Sequence, residues 1–146
     1  MHILKINTAK RKLGDFGERA AVAALKKEGY RVLERNYAPE DSEIDLIAYK
    51  DGTTVFVEVK TRHISDTKAR LTEPRPASAV TPAKQRSIIS AAKIYLASHR
   101  DTRARFDVVE VYVEDGERGP KVADIKHLVG AFDRDSARQY RKPYSR

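Results

Sequence analysis

Cysteine is absent from this 146-residue chain. Its absence excludes a disulfide framework, a thiolate-bound metal and a cysteine nucleophile. Long apolar runs are missing too. The longest, Ala20-Ala21-Val22-Ala23-Ala24-Leu25, is far too short to span a bilayer. The opening Met1-His2-Ile3-Leu4-Lys5 holds no extended apolar stretch ahead of a cleavage site, so the expected address is the cytoplasm, with no membrane partner. The glycines form no glycine-rich phosphate loop. The histidines, His2, His63, His99 and His127, are scattered without metal-ligand spacing.

What is present in excess is positive charge, a net +8, and its placement is uneven. Residues 1–12 carry Lys5, Lys10, Arg11 and Lys12 with no acid, and residues 134–146 carry five basic residues against Asp135. The intervening 20 basic and 20 acidic side chains cancel. The reading is a basic N-terminal segment (1–12), one domain (13–133) and a basic C-terminal tail (134–146). Basic ends beside a balanced body suit a binder of phosphate backbones, and equally serve plain solubility.

Periodicity predicts a helix over about 13–28, with Phe16, Ala20, Ala23 and Ala24 as its apolar stripe and Gly29 as its stop. A strand over 30–37 follows, then two β-rich runs, 43–50 and 53–62, joined at Asp51-Gly52. An Asp-Gly pair in that position is a strong hairpin signal. Residues 63–80 read as a long polar connection holding Pro74 and Pro76, the length of a mobile functional loop or of plain disorder. Thr81-Pro82 looks like an N-cap with proline at the first helical position, opening a helix to about Ser98. A strand over 104–113 and a short one around 122–125 complete the order. Helix, three strands, helix and strand predict an α/β layout in which helices flank a mixed sheet. The tight turn between the middle strands excludes a doubly wound nucleotide fold.

Side chains alternate between the faces of a strand. In Val55-Phe56-Val57-Glu58-Val59-Lys60-Thr61-Arg62 the valines share one face, and Phe56, Glu58, Lys60 and Arg62 share the other. A two-residue turn at Asp51-Gly52 would pair residues whose numbers sum to 103, which sets Asp45 opposite Glu58. Directly opposed Cβ atoms lie about 5 Å apart. Two carboxylates there repel by about 3 kcal/mol at an effective dielectric near 20. A hard divalent cation, Mg²⁺ or Mn²⁺, is the simplest compensation, although Lys60 alone could supply part of it. Glu18 has Val22 and Leu25 as helical neighbours. On spacing alone it reads better as an edge glutamate whose stem packs while its head reaches water than as a third acid. Asp107 shares its strand face with Val109 and Val111 and reads as a hydrogen-bonded structural group.

Glu43-Ile44-Asp45-Leu46-Ile47-Ala48 followed by Val55 to Arg62 resembles the YraN family of bacterial proteins regarded as endonucleases, relatives of archaeal Holliday-junction resolvases. The likeness continues through Gly17-Glu18, Leu33-Glu34-Arg35-Asn36 and Phe106-Asp107-Val108-Val109, covering most of residues 13–132. It implies a restriction-endonuclease-like core (αβββαβ) with a PD-(D/E)xK site. In such a site Asp45, Glu58 and Glu18 would bind the metal, and Lys60 would be the catalytic lysine. Ser42 stands where the family generally has glycine, and Ile44 where the motif's name implies proline; neither touches a reacting group.

The expected function is therefore metal-dependent hydrolysis of phosphodiesters in nucleic acid, with DNA, and branched DNA by the resolvase likeness, as substrate. The alternative is a nucleic-acid binder that keeps this fold and cleaves nothing. Arg62, Lys68, Arg70 and Lys84 are the candidate phosphate contacts. Resolvases act as symmetric dimers, so a homodimer is compatible with the likeness, but no residue pattern marks its surface.

Overall fold

Turn chemistry and alternation account for most of the sheet in this computed structural model, which describes residues 2–67 and 80–135, with side chains over 9–65 and 80–135. The elements are α1 (His2–Lys27), β1 (Arg31–Tyr37), β2 (Ile44–Lys50), β3 (Thr53–His63), α2 (Ile64–Thr67), α3 (Pro82–Ala97), β4 (Arg103–Gly116) and β5 (Gly119–Phe132). The five strands form one sheet in sequence order. β3 and β4 run parallel through the α3 crossover, and every other neighbouring pair is antiparallel. This is a mixed α/β sheet flanked by helices, compatible with a restriction-endonuclease-like core.

Asp51 (φ 50°) and Gly52 (φ 78°) both adopt the left-handed conformation that a tight primed hairpin turn requires. The turn sets the register of β2 on β3, with Lys50 on Thr53 and so on to Leu46 on Val57. Every pair sums to 103, as the sequence predicts.

Each face of the sheet carries its own core. Ala21, Val22 and Leu25 of α1 pack on Leu46, Val55, Val57, Val109, Val111 and Val113. Ile88, Ala91, Ala92 and Tyr95 of α3 pack on Ile47, Phe56, Phe106 and Val108 from the other side. The central strands are buried on both faces, which explains why β3 reads as a nearly continuous apolar run. Thr81 caps α3, its hydroxyl accepting from the Lys84 N–H at 3.2 Å. No helix among the described residues is long and apolar enough to cross a membrane.

Four expectations need correction. The first helix starts at His2, not near Leu13, so the basic residues up to Lys12 are part of α1. Gly14 does not break it, because one helical glycine costs only about 1 kcal/mol. The buried stripe of α1 is Gly17, Ala21, Val22 and Leu25, while Ala23 is exposed. The last strand is 14 residues long and not a short segment around 122–125; its mostly exposed side chains carry little alternation, and pairing with the buried β4 makes it a strand. The connection after β3 opens with the single turn of α2, and residues 68–79 lie outside the described residues.

Candidate active site

The chemistry gathers where β2 begins and β3 emerges from the core. The last ladder pair is Leu46 with Val57, so Asp45 lies one step beyond it, at the level of Glu58. Freed from the ladder, Asp45 turns its Oδ2 onto the backbone N–H of Val59, which donates at 2.8 Å. Its carboxyl also stands beside that of Glu58.

Glu58 is 9% exposed. Burial pushes its carboxyl up to about 7, and the neighbouring Asp45 adds to the rise. The positive charges of Lys84 and Lys60 pull it back. Lys84 comes from the first turn of α3, so the crossover helix brings a second ammonium to the acid pair.

α1 supplies the other bank. Gly17 sits directly on β3: a Cβ built there would overlap the Thr61 hydroxyl and lie 2.8 Å from both Thr61 Cβ and Cγ2. Only glycine permits this approach, and it carries the next residue, Glu18, to the strand end. Burial raises the Glu18 carboxyl above its ordinary range, and Asp45, Asp15 and Glu43 raise it further against the pull of Arg35. Glu18, Asp45 and Arg62 line one cleft of about 730 Å³, together with Asn36 and Glu43. Glu58 and Lys60 leave β3 on the α3-facing side. Asp45 is the residue that joins the two sides.

The structure thus brings Asp45 and Glu58 together, with Lys60 and Lys84 in their field, and sets Glu18 within electrostatic reach of Asp45. Arg62 is on the cleft wall. Lys68 and Arg70 lie outside the described residues. Sequence reading gave no role to Asn36, Glu43 or the Gly17–Thr61 contact. Asn36 adopts φ 51°, a conformation asparagine tolerates better than most residues. The Gly17–Thr61 contact is tertiary and leaves no trace in spacing.

Two carboxylate oxygens among these groups, Glu18 Oε1 and Glu58 Oε2, are buried with no hydrogen-bond partner. Unpaired buried acceptors are costly, and a cation offsets that cost. The donor set is oxygen only, which fits Mg²⁺ or Mn²⁺ and not a thiophilic ion. Among the described residues no three acidic or imidazole groups already stand at ligand spacing. An ion held here would take its remaining ligands from water or phosphate, as Mg²⁺ commonly does.

Away from the cleft, Asp107 is fully buried and satisfied, as its strand face implies. Its carboxylate accepts from Arg105 (2.9 Å to each oxygen), from the Gly130 N–H (2.9 Å) and from His127 Nε2 (2.7 Å). His127 Nδ1 meets Glu28 at 3.0 Å, just beyond the end of α1. Arg105 also donates to the Tyr30 hydroxyl at 2.7 Å. The network ties the end of α1 to β4 and β5.

Comparison with known sequences agrees with the resemblance. The family model described as "Uncharacterised protein family UPF0102" matches residues 17–111, a span that holds Glu18, Asp45, Glu58, Lys60 and Lys84. A UPF0102 protein of Prosthecochloris aestuarii is 42% identical over 123 residues, covering 82% of this chain and 92% of that one. Another from Chlorobium phaeobacteroides is 43% identical with the same coverage. One from Chloroflexus aurantiacus is 37% identical over 131 residues, covering 88% and 98%. The chain belongs to the uncharacterised protein family UPF0102, the YraN family that its middle block resembles.

Proposed function

We propose that this protein is a metal-dependent endonuclease that hydrolyses phosphodiester bonds in nucleic acid, with DNA as the first candidate substrate. The observation that carries the reading is the acid pair Asp45–Glu58. One member is pushed up to about 7, one of its oxygens is buried without a partner, and two lysines stand by. A structural ion pair would need neither the second acid nor the orphaned oxygen.

Asp45 and Glu58 would hold the ion from the strand ends, with Glu18 reaching it from α1. The bound ion would supply Lewis-acid polarisation of the phosphate and a more acidic water. The protein's own contributions are distinct. The Val59 N–H fixes Asp45 by binding Oδ2, and Asp45 lines the cleft. Lys60, two residues beyond Glu58 on the same strand face, donates toward the attacking water or the charge developing on a non-bridging phosphate oxygen. Lys84 lowers the proton affinity of the acid pair. Arg62 on the cleft wall orients the phosphate chain.

The test uses purified protein with single-stranded, duplex and branched DNA and with RNA, in Mg²⁺, Mn²⁺ or EDTA, beside Glu58→Gln and Lys60→Ala. Metal-dependent products from wild type, lost in both variants, are expected. Binding without products under every condition would overturn hydrolysis and leave a binding protein with this fold.

A further inference from the structure

We infer that the N-terminal half of α1 is the track for one strand of the nucleic acid, gripped by Lys10 and Arg11 and passing over Gly14 to the acid site. The inference rests on the proposed nuclease site and adds the path by which substrate reaches it.

Three observations carry it. First, α1 begins far enough upstream that Lys10 and Arg11 belong to the same rigid helix as Glu18. They stand eight and seven residues ahead of it, two turns along one face. Both line the cleft that Glu18 and Asp45 share, both are exposed, and neither makes an ion pair with a described residue.

Second, the two glycines of α1 have different surroundings. Gly17 is accounted for by the close approach of Thr61, but a Cβ at Gly14 would meet nothing within 4 Å. A mid-helix glycine is unfavourable relative to alanine, and no packing contact explains this one. It lies four residues before Glu18 and lines the same cleft. The missing side chain leaves bare helix backbone as the floor between the basic pair and the acids.

Third, the charge along this line changes sign. Acids at the inner end repel phosphate unless a cation intervenes, whereas the outer end attracts it directly. A strand with its scissile phosphate at the acids places neighbouring phosphates on Lys10 and Arg11. At 1.5 Å per residue the separation along the helix is about 10–12 Å, which sets the basic pair opposite a phosphate a few nucleotides from the scissile one.

Gly14→Leu tests the floor with little risk to the fold, because nothing lies within 4 Å of the added Cβ and leucine is the better helix former. Lys10→Ala/Arg11→Ala tests the grip. Lys26→Ala/Lys27→Ala removes the same charge from the far end of the same helix and serves as control. Each change is made in the full chain carrying Glu58→Gln, and binding to labelled single-stranded DNA, duplex DNA and RNA is titrated over a range of salt. The same changes in wild type are assayed for Mg²⁺-dependent cleavage. Gly14→Leu is expected to raise Kd about tenfold without lowering Tm. The Lys10/Arg11 pair is expected to reduce the slope of log K against log salt by about 1.4 on a single strand and about 1.8 on a duplex, with the Lys26/Lys27 slope unchanged.

Cleavage by wild type with unaltered binding in Gly14→Leu and Lys10/Arg11 would overturn the track and leave the nuclease standing. Equal slope losses in both lysine-bearing pairs would also overturn it, since net charge alone would then explain the effect. Binding that depends on Gly14 and the basic pair, without cleavage, would support the track and sink hydrolysis. No binding to any nucleic acid would sink both.

Discussion

Replacing Glu58 by glutamine is expected to stabilise the metal-free protein, and the gain should depend on pH in a defined way. The carboxyl rises from an ordinary value of 4.5 to about 7 on folding, first because it is buried and next because Asp45 stands against it. At 1.36 kcal/mol per pH unit the full shift is worth about 3 kcal/mol. Below pH 4.5 the carboxyl is protonated both folded and unfolded, so it contributes nothing to the pH dependence. Between 4.5 and 7 the unfolded chain releases the proton while the folded chain keeps it, and stability falls as pH rises. Above about 7 the loss is complete. Glutamine is nearly the same size and has no such titration. Wild type and Glu58→Gln should therefore differ little near pH 4.5. By pH 8 the variant should melt about 5–10 °C higher, taking about 3 °C per kcal/mol for a chain of this length and allowing for relaxation around the ionised group. Mg²⁺ should then raise the wild-type Tm and leave the variant unmoved, because an ion that binds only the folded site stabilises by mass action. Thermal melts at several pH values, with and without Mg²⁺, measure all of this. A variant less stable than wild type at pH 8, or a gap that does not change with pH, would refute the account of the acid pair.

Two further outcomes follow from other parts of the fold. Gly17→Ala should destabilise by about 1–3 kcal/mol despite alanine's better helix propensity, because the new methyl meets a β-branched side chain on a central strand; adding Thr61→Ala should recover part of the loss, as chemical denaturation of the four proteins of that cycle would show. The Asp107 network should impose its own pH dependence, best measured in the Glu58→Gln background, where residue 58 no longer titrates. The hydrogen bond to Asp107 raises His127 above its ordinary 6.5, so the imidazolium's contribution is complete below 6.5 and is lost as pH rises through the raised value. Burial pushes Asp107 up, but bonds from His127, Arg105 and Gly130 outweigh it and hold the carboxyl low; its contribution is lost only as pH falls through that lowered value. His127→Gln should flatten the alkaline side of the stability profile and leave the acid side in place, and an unchanged alkaline side would show that the imidazole bears no charge there.

The hairpin was legible because its chemistry is local. Asp-Gly accepts two successive positive φ angles, and once the turn is tight every later pair is determined, including the level at which Asp45 meets Glu58. Helix α3 was legible from its cap and proline. The extent of α1 was not, because residues 2–12 show no apolar periodicity and Gly14 resembles a stop. The buried face of α1 was misplaced by about one residue, and Glu18 inherited the error. Its neighbours Val22 and Leu25 are the core stripe itself, so Glu18 approaches the sheet and not open solvent. What turns it toward Asp45 is the contact of Gly17 with Thr61, between residues far apart in sequence. Lys84 was visible as the opening of a helix, but its pull on Glu58 depends on the crossover geometry. Local chemistry therefore disclosed the pair of acids and the nearby lysine, while the surrounding groups required the packed tertiary structure.

Two buried acids in this protein differ in how far the fold itself satisfies them. Asp107 is 0% exposed, yet each of its oxygens accepts two hydrogen bonds, and its pKa is lowered. Burial alone would have raised it, so the bonds more than offset desolvation and no ligand is needed to explain the residue. Glu58 is nearly as buried but keeps an oxygen without a partner and faces a second carboxyl, so its pKa moves the opposite way. The surrounding fold could have satisfied Glu58 as it satisfies Asp107, with donors such as Arg105, His127 and the Gly130 N–H. It instead offers two flexible lysines and a cleft. An arrangement that destabilises the folded chain on its own is expected where a ligand supplies the missing interaction. A ligand that compensates clustered carboxylate oxygens must itself be positive, and one that shares the site with lysines must also bring negative charge. A divalent cation together with a phosphate meets both requirements.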